Sequence, residues 1–308
     1  MSDTLQRFLL QGAPVRGEIV SLDRAWTEVV ARHDLANSVR DCLGELSAAA
    51  LLLSASLKFD GKLVLQIHGD GPVALFVVEC DQSGSFRATV KMREGAQVAP
   101  HASLRDLVDR NGGGRFVVTL DPRLRSASRQ PYQGIVPFEG DSVAQVLEHY
   151  MARSEQVPTR LWLAADGKRS VGLLLQRLPD EGGKAGTPAM PATEDQDGWN
   201  RMQMLADTVR TDELLSLPAQ QVLGRLFWQE PLHAFDGREC RFACSCSREK
   251  VAAMLRTLGR EEIDATLAEQ GSVDVNCEFC NRGYRFDAVD CASLFVDPVN
   301  DAPPNRMQ

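Results

Sequence analysis

The sequence predicts an α+β protein in three parts: an N-terminal core domain of mixed sheet and helix, a helical linker, and a small cysteine-rich C-terminal domain. Strand-like and helix-like segments follow one another over residues 1–178 without the strict strand–helix–strand alternation of a parallel α/β fold. The composition changes at Pro179 to a stretch rich in Pro, Gly and acidic residues. Six of the eight cysteines lie from Cys240 onward. We therefore predict domains at 1–178, 179–239 and 240–296, followed by a frayed tail at 297–308.

The first elements of the core domain are predicted from the spacing of its apolar residues. Residues 15–20 alternate in the manner of a strand. Residues 38–59 are rich in Ala and Leu, which favours one long buried helix, and Ser38 is placed to cap its N-terminus. Strands at 63–67 and 75–78 flank a Gly-Asp-Gly-Pro turn, so we expect them to form a hairpin.

The rest of the core domain continues this mixed pattern. Further strands are predicted at 86–92, 116–120, 160–163 and 171–176, and an amphipathic helix at 142–153. Strands and helices in this order are typical of an α+β domain.

The linker is predicted to be flexible at first and helical afterwards. Residues 179–198 contain few large apolar residues and read as a flexible connection. Apolar residues then recur at helical spacing over 199–209 and again over 222–227. Short helices cannot bury such faces alone, so we expect them to pack on the core domain. Two interpretations remain open, a permanent cover over the core and a removable one.

Four cysteines form two tight pairs in the last part of the chain, Cys244-Ser245-Cys246 and Cys277-Glu278-Phe279-Cys280. Four thiolates in two such pairs can surround one tetrahedral zinc ion. The segment between them, 247–270, is predicted to form two helices split near Gly259, with too little apolar content to fold without help. The C-terminal domain is therefore predicted to bind one Zn²⁺ per chain through the following ligands: Cys244, Cys246, Cys277 and Cys280.

The spacing of the first pair leaves the role of this zinc site open. Ordinary structural zinc sites favour two or more residues between paired cysteines, whereas one residue separates Cys244 from Cys246. Removing the ion leaves each pair close enough to oxidise to a disulfide. The two interpretations are a redox sensor and a purely structural zinc ribbon.

The five histidines show no ligand spacing, and the remaining four cysteines lie outside the two pairs. Cys42 and Cys80 are interpreted as core or near-core thiols. Cys240 and Cys291 are either small packed residues or spare ligands and resolving thiols. No catalytic or cofactor-binding residue is predicted elsewhere in the chain.

The overall composition argues against several partners. The chain has 42 acidic and 34 basic side chains, a formal charge of −8, which argues against a nucleic-acid-binding surface. The first residues lack the features of a secretory signal, and the apolar stretch 46–57 is shorter than the about 20 residues of a membrane span. We therefore expect neither a nucleic-acid nor a membrane partner, and a place in the reducing cytoplasm, where clustered cysteines more often serve metal or redox chemistry.

Several motifs spread over nearly the whole chain resemble one known family. They are Tyr132-Gln133-Gly134-Ile135-Val136, Tyr150-Met151 with Ser154-Glu155-Gln156-Val157-Pro158-Thr159-Arg160, Gly172-Leu173-Leu174-Leu175-Gln176, and the two cysteine pairs with Ser247-Arg248-Glu249 after the first. These motifs are similar to those of the 33-kDa heat-shock proteins, the 33 kDa chaperonin family of redox-regulated cytoplasmic holdase chaperones. The resemblance implies that the paired cysteines bind zinc when reduced. It further implies that oxidation forms the Cys244–Cys246 and Cys277–Cys280 disulfides, releases the metal and permits a homodimer.

We therefore predict a stress-response holdase for unfolded client proteins rather than an enzyme. No nucleotide site is visible in the sequence, so we expect the holding to be independent of ATP. Losing the metal would unfold the C-terminal domain, loosen the linker and uncover apolar surface that binds clients. The alternatives are a thiol-disulfide oxidoreductase that uses Cys277 and Cys280 as an exchanging pair and a structural zinc ribbon that binds nucleic acid.

Overall fold

A computed structural model describes residues 3–57, 60–123, 130–178 and 197–295. The chain divides into two compact units, Met1–Ala243 and Cys244–Gln308. The described strands of the first unit form two six-stranded sheets, and those of the second form a two-stranded sheet. Residues 240–243 thus pack with the N-terminal unit. Residues 179–196 of the predicted flexible stretch 179–198 lie outside the described residues, as does the predicted tail 297–308. The end of that stretch is helical, since Gly198 begins a helix.

The N-terminal unit contains strands and helices over the whole of its described sequence. In chain order they are β1 (Thr4–Leu10), β2 (Val15–Leu22), α1 (Arg24–Val30), α2 (Asn37–Ser56), β3 (Gly61–His68), β4 (Val73–Asp81), β5 (Ser85–Met92), α3 (Leu104–Val108), β6 (Arg115–Pro122), β7 (Tyr132–Pro137), α4 (Val143–Tyr150) with a π-helical turn at Met151–Glu155, β8 (Thr159–Ala165), β9 (Ser170–Arg177), α5 (Gly198–Ala206), α6 (Thr211–Ser216), α7 (Ala219–Leu226), β10 (Leu232–Ala234), β11 (Arg238–Glu239) and β12 (Arg241–Phe242). Every strand predicted from the sequence is present. Strands β1 and β7, helices α1, α3 and α6, and the short strands β10–β12 were not predicted.

The strands form two sheets, which we call sheet A and sheet B. Sheet A has the order β10-β1-β2-β9-β8, and β11 also pairs with β1. Sheet B has the order β12-β5-β4-β3-β6-β7. The pairs are antiparallel except for β12 with β5, which is parallel. The predicted hairpin is β3–β4.

Helix α2 forms the centre of the N-terminal unit, between the two sheets. One core cluster joins its buried residues to apolar side chains of sheet B and to one face of sheet A. The residues from Leu46 to Ser56 are all buried, because a helix that is apolar on every side is stable only when it is enclosed. Its buried hydroxyls are satisfied locally, since Ser47 donates to the Leu43 carbonyl at 2.7 Å and Ser56 to the Leu52 carbonyl at 3.1 Å.

The prediction of Ser38 as the N-cap of this helix is wrong. Ala36 occupies the N-cap position and makes no side-chain cap, and the helix begins at Asn37. The Ser38 hydroxyl instead donates to the Ala99 carbonyl at 3.2 Å, a residue 61 positions away. A tertiary partner has therefore replaced the local hydrogen bond that the sequence suggested. The helix ends at Ser56, and Phe59 lies outside the described residues.

Helices α5–α7 cover the other face of sheet A, and for α5 and α7 this packing was expected from their apolar faces. The cluster beneath them includes Phe8, Leu10, Ile19, Leu173 and Leu175 from the sheet. The helices contribute Met202, Leu214, Val222, Leu223 and Leu226, and Phe227 follows α7. The rings of Phe8 and Phe227 lie 6.0 Å apart, centroid to centroid. We call α5–α7 with Phe227 the helical cover.

The C-terminal unit is built on a hairpin and three helices among its described residues. They are α8 (Arg248–Leu258), α9 (Arg260–Gln270), β13 (Val273–Asn276), β14 (Gly283–Phe286) and α10 (Ala288–Leu294). The predicted pair of helices is confirmed, and Gly259 breaks it with a φ of 94°. The hairpin and α10 were not predicted. The core is small, seven buried residues: Leu255, Ile263, Val273, Tyr284, Phe286, Cys291 and Leu294.

No helix among the described residues is both long and apolar enough to cross a membrane.

Candidate metal centre

Four thiols meet at one point of the C-terminal unit. One ligand atom from each of Cys244, Cys246, Cys277 and Cys280 lies within 4.8 Å of the others. The Sγ atoms of Cys244 and Cys277 are 3.7 Å apart, and those of Cys246 and Cys280 are 3.4 Å apart. The structure thus brings together all four residues that the sequence singled out.

Local structure places the first pair immediately before a helix and the second pair on a turn. Cys244 and Cys246 precede α8, whose N-cap Ser247 accepts a hydrogen bond from the Lys250 amide at 3.3 Å. Cys277 and Cys280 lie in the turn between β13 and β14. There the Cys277 amide donates to the Arg282 carbonyl at 3.0 Å, and the Asn281 amide donates to the Cys277 carbonyl at 2.8 Å.

The position of Asn281 in the left-handed region, with a φ of 60°, tightens the turn of the second pair. The turn carries Cys277 and Cys280, and the short stretch before α8 carries Cys244 and Cys246. Bringing these two short stretches together completes the cluster.

The four thiols cannot all ionise easily by themselves. Partial burial opposes ionisation of Cys246, but hydrogen bonds from the Tyr284 hydroxyl and the neighbouring thiols lower its pKa to about 7. Burial, together with the neighbouring Cys246 sulfur, raises the pKa of Cys280 to about 12. Burial also raises the pKa of Cys277. A bound cation would be required to hold all four as thiolates.

The donor set fits one tetrahedrally bound metal ion. In a zinc tetrathiolate with Zn–S bonds of about 2.3 Å, neighbouring sulfur atoms are about 3.8 Å apart. The two Sγ–Sγ distances of 3.7 and 3.4 Å are close to this value. Soft thiolate ligands select metals such as zinc or copper(I) over the hard cations that prefer oxygen.

Tyr284 is a functional residue that the sequence analysis missed. Its hydroxyl donates to the Cys246 Sγ at 3.1 Å, and its ring is buried in the core of the C-terminal unit. Such outer partners orient the ligands of a metal site. Nothing in its spacing from the cysteines distinguishes it from an ordinary strand residue, so only the folded hairpin identifies it.

The other four cysteines are not members of the cluster. Cys80, Cys240 and Cys291 are buried, and Cys42 packs against the main core cluster. Burial raises the pKa of Cys240 to about 12 and also raises the pKa of Cys42, Cys80 and Cys291. Cys240 and Cys291 pack in the cores of their respective units, as the first of their two interpretations predicts.

A buried arginine ties the helical cover to sheet A. The Arg169 guanidinium pairs with Asp23 at 2.6 Å and donates to the Ser21 hydroxyl at 2.7 Å. It also donates to the carbonyls of Leu215 and, at 3.3 Å, Leu217, at the end of α6. The cover is therefore held by charge-assisted hydrogen bonds as well as by apolar packing.

The fold and the site define a class of two-unit proteins. The first unit contains a sheet whose outer face is packed beneath helices, and the second, later in the chain, contains a four-thiol metal centre. A family model described as Hsp33 protein matches residues 3–287. The chain therefore belongs to the Hsp33 protein family, as the sequence motifs indicated.

Individual relatives match over nearly the whole chain. The 33 kDa chaperonin of Methylobacillus flagellatus is 48% identical over 306 residues, 98% of each chain. That of Chromobacterium violaceum is 47% identical over 293 residues, 95% of this chain and 94% of its own. A crystal structure of the 33 kDa chaperonin of Thermotoga maritima has the same fold, with a TM-score of 0.74 at 22% identity, covering 95% of this chain and 97% of that one. Family membership supports a chaperone function in heat shock and stress response, and these relatives are named chaperonins rather than enzymes.

Proposed function

We propose that this protein is a redox-regulated, ATP-independent holdase whose client-binding surface is covered when its cysteines are reduced and bind zinc. The observation that carries the proposal is the apolar outer face of sheet A, which the helical cover buries. The chain of the cover continues through a short segment into the four-thiol cluster. If the cluster is lost, the chain between Phe227 and Cys244 is no longer held at its C-terminal end, and this chain leads directly into the helical cover.

We assign one Zn²⁺ per chain to Cys244, Cys246, Cys277 and Cys280. When bound, the ion stabilises the four thiolates and links the two halves of the C-terminal unit. The Tyr284 hydroxyl, at 3.1 Å from the Cys246 Sγ, orients that ligand.

Oxidation removes the charges on which metal binding depends. We propose that Cys244 and Cys246 form one disulfide and Cys277 and Cys280 the other. For each disulfide, two thiolates, one hydrogen peroxide and two protons give one sulfur–sulfur bond and two water molecules, so two electrons pass to the peroxide. A disulfide sulfur has lost the negative charge that binds a cation, so the oxidised cysteines no longer hold Zn²⁺.

The pairing decides what happens to the fold. The short Sγ–Sγ distances run between the pairs, from Cys244 to Cys277 and from Cys246 to Cys280. Disulfides across the pairs would link the two halves of the unit and keep it closed, whereas disulfides within the pairs leave the halves unlinked. We therefore expect unfolding only from bonds within the pairs.

Unfolding would make the outer face of sheet A available to clients. Exposed apolar surface binds other chains without regard to their sequence. Burying about 400 Å² of it would stabilise a complex by about 10 kcal/mol before entropic costs. The formal charge of −8 helps to keep a partly unfolded chain in solution. We place this activity in the cytoplasm, with unfolded proteins as partners and a homodimer as the oxidised form, and without nucleic-acid or membrane partners.

The decisive experiment follows zinc release, disulfide pairing and client protection in one sample. Zinc-loaded protein is treated with hydrogen peroxide at mild heat, and aggregation of thermally unfolding citrate synthase is measured by light scattering. Cys277→Ser should abolish the gain in protection, and Cys291→Ala, which changes a cysteine of the same unit outside the cluster, should retain it. Equal protection by the reduced, zinc-loaded protein would refute the redox switch, and peptide mapping that finds Cys244–Cys277 would refute the proposed unfolding. Catalytic reduction of insulin would favour the oxidoreductase, and salt-sensitive RNA binding the nucleic-acid binder.

A further inference from the structure

One short segment of the chain closes an edge of both sheets. Residues 232–242 contain β10 and β11, which pair with β1 of sheet A, and β12, which pairs with β5 of sheet B. We call residues 232–242 the edge segment. Ala243 follows it, and Cys244 of the thiol cluster comes next in the chain.

Main-chain hydrogen bonds hold the edge segment in place. The Phe235 and Cys240 amides donate to the Arg7 and Asp3 carbonyls, both at 2.9 Å. The Arg241 amide donates to the Gly84 carbonyl at 3.0 Å, and the Ala243 amide that follows the segment donates to the Phe86 carbonyl at 2.8 Å. These bonds use the groups that any extended polypeptide offers, so they do not depend on the side chains of the segment.

Most side chains of the edge segment are exposed. Cys240 is its one buried residue, at 2% exposure, and Leu232 and Phe242 pack only partly against the core clusters, while Phe235 is 43% exposed. A segment with few apolar contacts and short pairings opens at low free-energy cost. The strands that it covers are longer, since β1 spans Thr4–Leu10 and β5 spans Ser85–Met92.

A buried carboxyl group lies beneath the edge segment. Phe235 and Arg238 line a cavity of about 780 Å³ together with Arg7 and Glu18 of sheet A. Glu18 is 2% exposed, and the Arg7 Nε lies 3.3 Å from its Oε1. Burial is the largest effect on this carboxyl group and opposes its ionisation, whereas the charges of Arg7, Arg16 and Arg238 favour it. Release of the segment would therefore open a solvent path to a group that burial disfavours in its charged form.

We propose that the edge segment occupies a strand-binding site, and that its release lets extended segments of unfolded client proteins pair with the edges of β1 and β5. This inference rests on the proposed function and specifies how clients are recognised. Unpaired strand edges are templates for another strand, and strand addition takes its affinity from main-chain hydrogen bonds. Phe8 and Leu10 of β1 also reach the apolar outer face of sheet A, so a strand added there lies beside that face.

A matched set of synthetic peptides tests main-chain recognition directly. Each peptide copies residues 231–243 with Cys240→Ala, and competes with fluorescently labelled, reduced and carboxymethylated α-lactalbumin for the full-length oxidised protein. One peptide is unmodified, and two carry three N-methyl groups each. The first methylated peptide is blocked at amides that donate to the sheets, Phe235, Arg241 and Ala243. The second is blocked at amides that alternation along a strand directs away from them, Ala234, Glu239 and Phe242.

We expect the unmodified and second methylated peptides to displace the client, and the first to do so at least tenfold more weakly. None should bind the reduced, zinc-loaded protein. Equal competition by the two methylated peptides, or client binding that no peptide reduces, would overturn strand addition while leaving the holdase function intact. An oxidised protein that binds no client would overturn the proposed function and this inference with it.

Discussion

Removing the metal under reducing conditions should unfold the C-terminal unit and leave the core of the N-terminal unit folded. Among the described residues of the C-terminal unit, seven form its buried core. A core of this size rarely contributes more than about 3–5 kcal/mol. Structural zinc contributes about 10–16 kcal/mol at neutral pH, so its loss exceeds what the apolar core can supply. The N-terminal unit should persist, because α2 is enclosed between two sheets and contains no thiol of the cluster.

Hydrogen exchange with mass spectrometry measures both units in the same sample. Zinc-loaded protein is compared with protein treated with a high-affinity chelator and a reductant, and metal analysis verifies that the ion has been removed. Peptides from α8, α9 and the β13–β14 hairpin should lose their protection, and peptides from α2 and the β3–β4 hairpin should keep it.

Protection in the α2 peptides, whose helix contributes no thiol to the cluster, is the internal control. Adding back Zn²⁺ should restore protection in α8 and α9. If α8 and α9 stay protected after the ion is gone, the small core is sufficient by itself. The argument that unfolding follows metal loss would then be wrong.

Three further substitutions test other parts of the structure. Tyr284→Phe removes the hydrogen bond to the Cys246 sulfur but keeps the buried ring, so we expect metal affinity to fall about 10- to 100-fold in chelator competition. Unchanged affinity would contradict a role for the hydroxyl.

Burial raises the pKa of Glu18 from 4.5 to about 7 in the folded protein. The contribution of Glu18 to the free energy of unfolding is therefore fully present below pH 4.5 and is lost as the pH rises through 7. Glu18→Gln should therefore gain on the order of 3 kcal/mol relative to the parent protein between pH 4.5 and 8 in urea unfolding, and a pH-independent difference would refute this. Phe227→Ala removes a buried ring of the helical cover, so it should lower the free energy of unfolding by about 3–5 kcal/mol and make the reduced, zinc-loaded protein hold client. Trp228→Ala, at a residue that is 75% exposed, is the control and should do neither. Equal behaviour of the two variants would refute the role of the helical cover in hiding the client-binding face.

The sequence predicted those elements whose own residues determine them. The uncharged apolar run within α2 requires burial wherever it lies, and the structure encloses it between two sheets. The apolar faces of the cover helices likewise required a partner, which is the outer face of sheet A. Ser38 shows the limit of this reasoning, because its hydroxyl found a carbonyl on a distant loop instead of capping its own helix.

The edge segment could not be predicted, for a different reason. Its strands have two or three residues each, too few for a period of two to be recognised. These strands form because the outer edges of β1 and β5, more than 140 residues earlier in the chain, offer main-chain groups for them to pair with. The burial of Glu18 could not be predicted either, because it results from residues that are distant in the sequence and pack around the side chain.

The sequence by itself therefore determined the α+β class, the two cysteine pairs and the need for a cover, because these depend on composition and on spacing within short stretches. The tertiary structure alone decided which face the cover hides, how the Tyr284 hydroxyl reaches Cys246, and where residues 232–242 close the sheets. Those features depend on contacts between residues far apart in the chain, and no local pattern records such contacts.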